Sequence, residues 1–211
     1  MAPKERLSLG GLWEDYEEHT LIYAFYYCCL RQLRAIGQYS NTASNSNRAD
    51  KDRPKLIALK VGEPDELSYD AGTVRFLASS EDTNGAWSLV ELKEMPGYHT
   101  NLHRHNHTDE AFYVIEGVLT VKLNEKISEY PAGSYVLIPR GTPHAQGNRG
   151  KVPARILLTM TPGGFERSFK DRVELFKTAK PDDPDFRTKR KANAVRGNYD
   201  VEFLADWDLQ K

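Results

Sequence analysis

Three histidines and one glutamate, set among glycines and prolines, constrain this chain more than any other feature. The first run, GYHTNLHRHNHTDEAFYVIEG, carries Gly97, His103, His105, Glu110 and Gly117. The second, GSYVLIPRGTPHAQGN, carries Gly133, Pro139, Gly141, His144 and Asn148. His103 and His105 are two residues apart, and on a strand such side chains share one face. Glu110 follows after a polar stretch, Asn106 to Asp109, that suits a turn, so it is expected to point inward from the start of the next strand. His144 comes after Pro139, Gly141 and Pro143, just beyond a tight turn. Folding the second run beside the first brings all four side chains to one point. Neutral imidazoles and a carboxylate suit a divalent first-row metal. Such ions often take five or six ligands, which leaves room for water, dioxygen or a chelating substrate.

The sequence around these runs reads as strands from Pro54 onward. LIALKV, TVRFLAS, AWSLVEL, AFYVIEG, VLTVKL, SYVLIP and ARILLTM are short and rich in β-branched and aromatic residues. Turn signals separate them, among them Thr83 to Gly85, Pro96 with Gly97, Pro131 to Gly133 and Pro162 to Gly164. Many short strands at this spacing predict a sandwich or a barrel. No internal repeat is visible, so one such unit is expected.

The two runs resemble the cupin superfamily. Its first motif, G-x5-H-x-H-x4-E-x6-G, is matched from Gly97 to Gly117, and its second, G-x5-P-x-G-x2-H-x3-N, from Gly133 to Asn148. No motif position departs from the pattern. The resemblance implies a double-stranded β-helix, or jelly-roll barrel, with the metal inside. The fold class expected is therefore all-β, with helical N- and C-terminal appendages. The stretch VRFLASSEDTNGAWSLVE, the run DEAFYVIEG and the tail NYDVEFLADW look most like the small single-domain cupins of the quercetin 2,3-dioxygenase kind.

Three regions are expected: an extension over 1–55, the barrel over 56–165 and a helical tail over 166–211. In the extension, Trp13 and Tyr16 are candidate packing anchors, and Leu21 to Ile36 reads as a helix. Its apolar run is too short for a membrane span, which takes about 20 residues. Ser40 to Lys55 reads as a flexible linker. In the tail, Phe165, Phe169, Val173 and Phe176 fall on one helical face, and Pro181 and Pro184 end that helix. A second helix is expected over Asp185 to Val195, ending at Gly197. The tail would pack over the barrel mouth, either as plain cover or as a lid.

Composition narrows the function classes. The 29 basic and 30 acidic residues nearly cancel, so nothing favours a nucleic-acid partner. Cys28 and Cys29 are adjacent and make no disulfide framework. The start, MAPKERLSLGG, lacks the apolar core of a secretory leader. A cytoplasmic home and a homodimer are the expectations.

The metal ligands expected are His103, His105, Glu110 and His144. Glu110 would double as general base, with His99 as a lesser catalytic candidate. Parity with the ligands makes Phe112, Val114 and Gln146 candidate substrate contacts, and Val90 a weaker one. The cofactor expected is one divalent transition metal, Fe(II) before Mn, Ni, Cu or Zn. The resemblance implies a quercetinase-like dioxygenase acting on a small enolic, phenolic or polyketide-like molecule. The alternatives are a non-redox isomerase, cyclase or decarboxylase on the same site, or a non-catalytic binding protein.

Overall fold

The structure is a computed structural model, and it describes residues 53–209. The expected helix at Leu21 to Ile36, the anchors Trp13 and Tyr16 and most of the expected linker lie outside the described residues. Ten strands come first: β1 (Leu67–Tyr69), β2 (Gly72–Ala78), β3 (Ser88–Glu94), β4 (Leu102–Arg104), β5 (Asp109–Glu116), β6 (Val118–Leu123), β7 (Lys126–Pro131), β8 (Tyr135–Ile138), β9 (His144–Gly147) and β10 (Ala154–Thr161). Two helices, α1 (Arg167–Thr178) and α2 (Phe186–Arg196), and a final strand, β11 (Glu202–Ala205), follow.

The strands form two antiparallel sheets. One has the order β1-β2-β3-β10-β5-β8, the other β11-β4-β9-β6-β7. Alternation decides what lies between them. Val90 and Leu92 on β3, Phe112 and Val114 on β5, and Ile156, Leu158 and Met160 on β10 are buried, while their chain neighbours are more exposed. Leu119 and Val121 on β6 close the core from the second sheet. Burying each such side chain contributes about 1.5–3 kcal/mol, which pins the register, since a one-residue slip would turn the whole set outward. The result is the expected jelly-roll barrel.

One motif glycine shows why its position admits nothing larger. Gly117, between β5 and β6, has φ +74°, and a Cβ there would lie 2.6 Å from the Pro153 carbonyl oxygen. A side chain would meet both backbone strain and a collision. The Gly141 amide donates to the His105 carbonyl at 2.6 Å. The turn before His144 is thereby tied directly to the strand end that carries the first two histidines.

Two expectations are corrected. LIALKV forms no strand: residues 56–61 are irregular, and Leu56 and Val61 are fully exposed. Apolar β-formers make a strand only where a partner completes the ladder, and none pairs with them among the described residues. The tail is not helical throughout. The helices form over Arg167–Thr178 and Phe186–Arg196, but the chain then returns as β11, antiparallel to β4. Beyond it, Trp207 and Leu209 are buried against Ala145, Leu102 and Ile127, on the outer side of the second sheet.

Helix α1 is anchored at its start by Glu166. This buried carboxylate accepts from the Gly164 amide at 2.6 Å and from the amide and hydroxyl of Ser80 at 2.9 and 2.5 Å. Phe169 and Val173 then pack into the core. Asp70, in the β1–β2 turn, holds both helices. It receives Arg172 Nε of α1 at 2.8 Å and Arg190 Nη1 of α2 at 2.9 Å.

Candidate metal centre

His103 on β4 and His144 on β9 face each other in register across the second sheet. Glu110 reaches the same point from the other sheet, near the start of β5, and His105 follows directly after β4. All four side chains are buried, none more than 6% exposed. One ligand atom from each lies within 4.8 Å of the others. His144 Nε2 is 3.0 Å from Glu110 Oε2, and His105 Nε2 is 3.5 Å from Glu110 Oε1.

The proton arrangement decides whether this cluster suits a cation. Each ring presents Nδ1 to a main-chain carbonyl: His103 to Asn101 at 2.8 Å, His144 to Thr142 at 2.9 Å, and His105 to Asp200. A carbonyl only accepts, so each Nδ1 carries the hydrogen, and each Nε2 is left with its lone pair toward the others. His105 Nε2 is buried and has no hydrogen-bond partner among the described residues; its 3.5 Å approach to Glu110 lacks hydrogen-bonding geometry. His144 Nε2 faces a carboxylate oxygen, and two lone pairs at 3.0 Å need a proton or a cation between them. This buried cluster of three imidazoles and one carboxylate fits a divalent metal site.

Electrostatics agree with that reading. Burial, reinforced by the neighbouring His144 and His105, pushes His103 down to about 3, so it is neutral and able to ligate. Burial opposes charge on Glu110, but the surrounding histidines outweigh it and hold the carboxyl down to about 2. Burial likewise opposes charge on His144, yet the hydrogen bond and charge of Glu110 raise it. Without a cation, the pair thus tends to keep a proton where a metal would sit.

A cavity of about 70 Å3 opens onto this cluster. His103, Glu110, Gln146 and Thr100 form its polar floor. Leu158, Phe165, Phe169, Val201 and Phe203 form an apolar wall. Arg172, Arg190 and Asp171, from the two helices, also line it. Gln146 is fixed by its backbone: its amide accepts no freedom, donating to Thr100 Oγ1 at 3.0 Å while its carbonyl receives the Thr100 amide at 2.8 Å.

The expected substrate contacts therefore separate. Gln146 lies on the cavity wall. Phe112, Val114 and Val90 point inward but are packed in the apolar core, off the wall. Parity gives the face of a strand, not the depth along it, and these three lie on the barrel's filled side. His99 is also off the wall: it bridges to Gly147 and packs edge-on to Trp207 at 6.0 Å.

Sequence reasoning missed Asp200. Its carbonyl takes the Nδ1 hydrogen of His105, and its carboxylate accepts from the amides of Asn106 and His107 at 2.9 and 2.8 Å. Glu202, on β11, receives Arg104 Nε at 2.8 Å. The tail thus braces the loop that presents His105.

The cupin domain family matches residues 90–160, the span that contains all four clustered side chains. The chain belongs to the cupin superfamily. Relatives of this cupin include the tetracenomycin polyketide synthase protein TcmJ of Streptomyces glaucescens, 34% identical over 80 residues, which is 38% of this chain and 52% of that protein. An uncharacterized protein of Methanocaldococcus jannaschii is 36% identical over 97 residues, 46% of this chain and 78% of that one. The quercetin 2,3-dioxygenase of Bacillus subtilis is 25% identical over 112 residues, 53% of this chain and 33% of that enzyme. The cupin thus spans about half the length of the first of these. No helix among its described residues is long and apolar enough to cross a membrane.

Proposed function

We propose that this cupin is a metal-dependent enzyme acting on an enolic or phenolic, polyketide-like molecule, and that it is a dioxygenase of the quercetinase kind. The observation that carries the reading is the convergence of three imidazoles and one carboxylate, two of which, His103 and Glu110, line a cavity with an apolar wall. His103, His105, Glu110 and His144 would hold the ion, with Fe(II) the first choice. When bound, a divalent cation supplies Lewis acidity that favours the ionised form of an enol or phenol oxygen.

The chain's own residues do the rest. Leu158, Phe165 and Phe169, the two rings set edge to face, give an apolar wall for an unsaturated substrate and exclude water from it. Gln146, with its backbone locked to Thr100, offers an amide beside the site to orient a substrate oxygen. Glu110 serves better as ligand than as general base, because a carboxyl held near 2 is too weakly basic to take a proton near neutral pH. The dioxygenase reading is supported by the likeness to quercetin 2,3-dioxygenase. A second reading, non-redox cyclisation or isomerisation on the same site, is favoured by the higher identity to the polyketide synthase protein.

An oxygen electrode separates them. Fe(II)-loaded protein is offered quercetin and a panel of phenolic 1,3-diketones under air, and zinc-loaded protein the same panel under argon. Dioxygen uptake matching substrate loss is expected. Turnover under argon with zinc would move the assignment to the second reading. No turnover in either arm, with the metal bound, would remove both.

A further inference from the structure

We infer that the cavity takes an organic acid, whose carboxylate docks on Arg172 and Arg190 while its other end faces the metal cluster. This rests on the proposed small-molecule site and names the class of its substrate. Both arginines line the same cavity as His103 and Glu110, and the side chains of both are largely shielded from solvent. One carboxylate, Asp70, serves the two of them, from the side of the β1–β2 turn. Arg172 gives its Nε to Asp70 and its Nη2 to the Tyr98 hydroxyl at 2.6 Å. Its plane also lies over the Tyr69 ring, 4.6 Å from the centroid. The fork is therefore held rigid from behind.

The other acids nearby do not complete the pairing. Asp171, also on the wall, receives the Tyr199 hydroxyl at 2.9 Å and makes no ion pair with either arginine among the described residues. Glu94 is buried behind Gln146, and burial raises it to about 7, so it offers only a fraction of a charge. Two shielded guanidiniums with one shared carboxylate carry surplus positive charge, and a low-polarity setting makes a second anion strongly favourable there. Planar forks suit a carboxylate in particular. The apolar wall of Phe165, Phe169 and Leu158 lies in the same cavity as the arginines and the metal cluster. An acid with an unsaturated body and an enol or phenol oxygen matches all three surfaces.

The test uses acetate, small enough for the cavity as it stands, and its neutral isostere acetamide. Metal-free protein labelled with 15N is titrated with each, following the Arg172 and Arg190 side-chain Nε–H signals. Acetate is expected to bind at least about tenfold more tightly than acetamide. In Arg190→Gln, which leaves the Asp70–Arg172 pair in place, that preference should fall about tenfold, while Lys189→Gln on the exposed face of α2 keeps it. Equal affinity of the wild-type protein for the two probes, or a preference that survives in a folded Arg190→Gln, would overturn the inference. Metal uptake is measured separately by elemental analysis. Acetate binding without metal uptake would sink the proposed function alone, and metal uptake without acetate preference would sink this inference alone.

Discussion

The His105 ring donates its Nδ1 hydrogen to the main-chain carbonyl of Asp200, 95 residues further along the chain. A histidine of the first motif, one of the four clustered side chains, is thus oriented by the C-terminal tail. Partners of this kind fix the tautomer and direction of a ligating imidazole, and their loss typically costs about 10–100-fold in metal affinity. Asp200→Ala removes the two carboxylate contacts to the Asn106 and His107 amides and frees the segment that carries the carbonyl. Chelator competition should show zinc affinity reduced within that range, with all four ligands still present. Unchanged affinity in a folded variant would mean that the barrel alone orients His105.

Proton competition gives the metal site a pH dependence with a definite sign. Metal binding needs His144 unprotonated, and Glu110 raises the proton affinity of that ring in the metal-free protein. Binding therefore releases a proton at any pH below the raised value, and affinity climbs with pH until that value is passed, then levels off. His103 adds little to the slope near neutrality, because burial keeps it neutral down to about 3. The zinc dissociation constant should fall by about a decade per pH unit while the His144 ring still carries its proton, and level off once that ring is neutral. His103→Ala and His144→Ala should each abolish stoichiometric metal at every pH tested.

The convergence of His103, His105, Glu110 and His144 was legible in the sequence because the four lie in two short runs, where spacing on strands and turns nearly dictates direction. The barrel was legible for the same local reason: Ser88–Glu94 and Ala154–Thr161 alternate between buried and more exposed positions. The cavity wall was not. It joins Leu158 on β10 to Phe169, Arg172 and Arg190 on the two helices and to Val201 and Phe203 near the chain's end. No local pattern encodes that convergence, and nothing within NYDVEFLADW marks Asp200 as a brace for a histidine. Leu56–Val61 misled for the complementary reason, since its residues favour a strand whose partner is missing among those described.

Glu94 provides a test of buried charge away from the ligands. It is fully buried on β3, and among the described residues neither its Oε2 nor the nearby Tyr69 hydroxyl has a hydrogen-bond partner. Burial raises its carboxyl to about 7. An acid whose folded value lies above its unfolded value of about 4.3 weakens the fold progressively as pH rises between the two. Glu94→Gln should therefore gain stability at pH 8, on the order of 3–4 kcal/mol, and gain little at pH 4. Urea denaturation of both proteins at the two pH values reads this directly. A gain of equal size at both would point to packing and not to charge.

Asp70 holds the two covering helices to the barrel, and its loss should release them before the barrel itself fails. The carboxylate is almost wholly buried between Arg172 and Arg190, whose charges outweigh the burial penalty and lower its proton affinity. Asp70→Asn leaves two shielded guanidiniums without a counter-charge, and breaking such a buried pair costs about 3–5 kcal/mol. Much of that cost can be relieved by lifting α1 and α2 into solvent, because the barrel strands keep their own ladders. Hydrogen exchange should then accelerate over residues 167–196 while β3, β5 and β10 stay protected. The same motion bears on access. A cavity of about 70 Å3 holds a small group, whereas pockets for multi-ring molecules run to about 300 Å3 or more. If the helices form the gate, Asp70→Asn should admit a flavonol more quickly than the wild type in stopped-flow quenching of the protein's fluorescence. Uniform exchange across helices and barrel, with unchanged entry rates, would show instead that the cover and the barrel open as one unit.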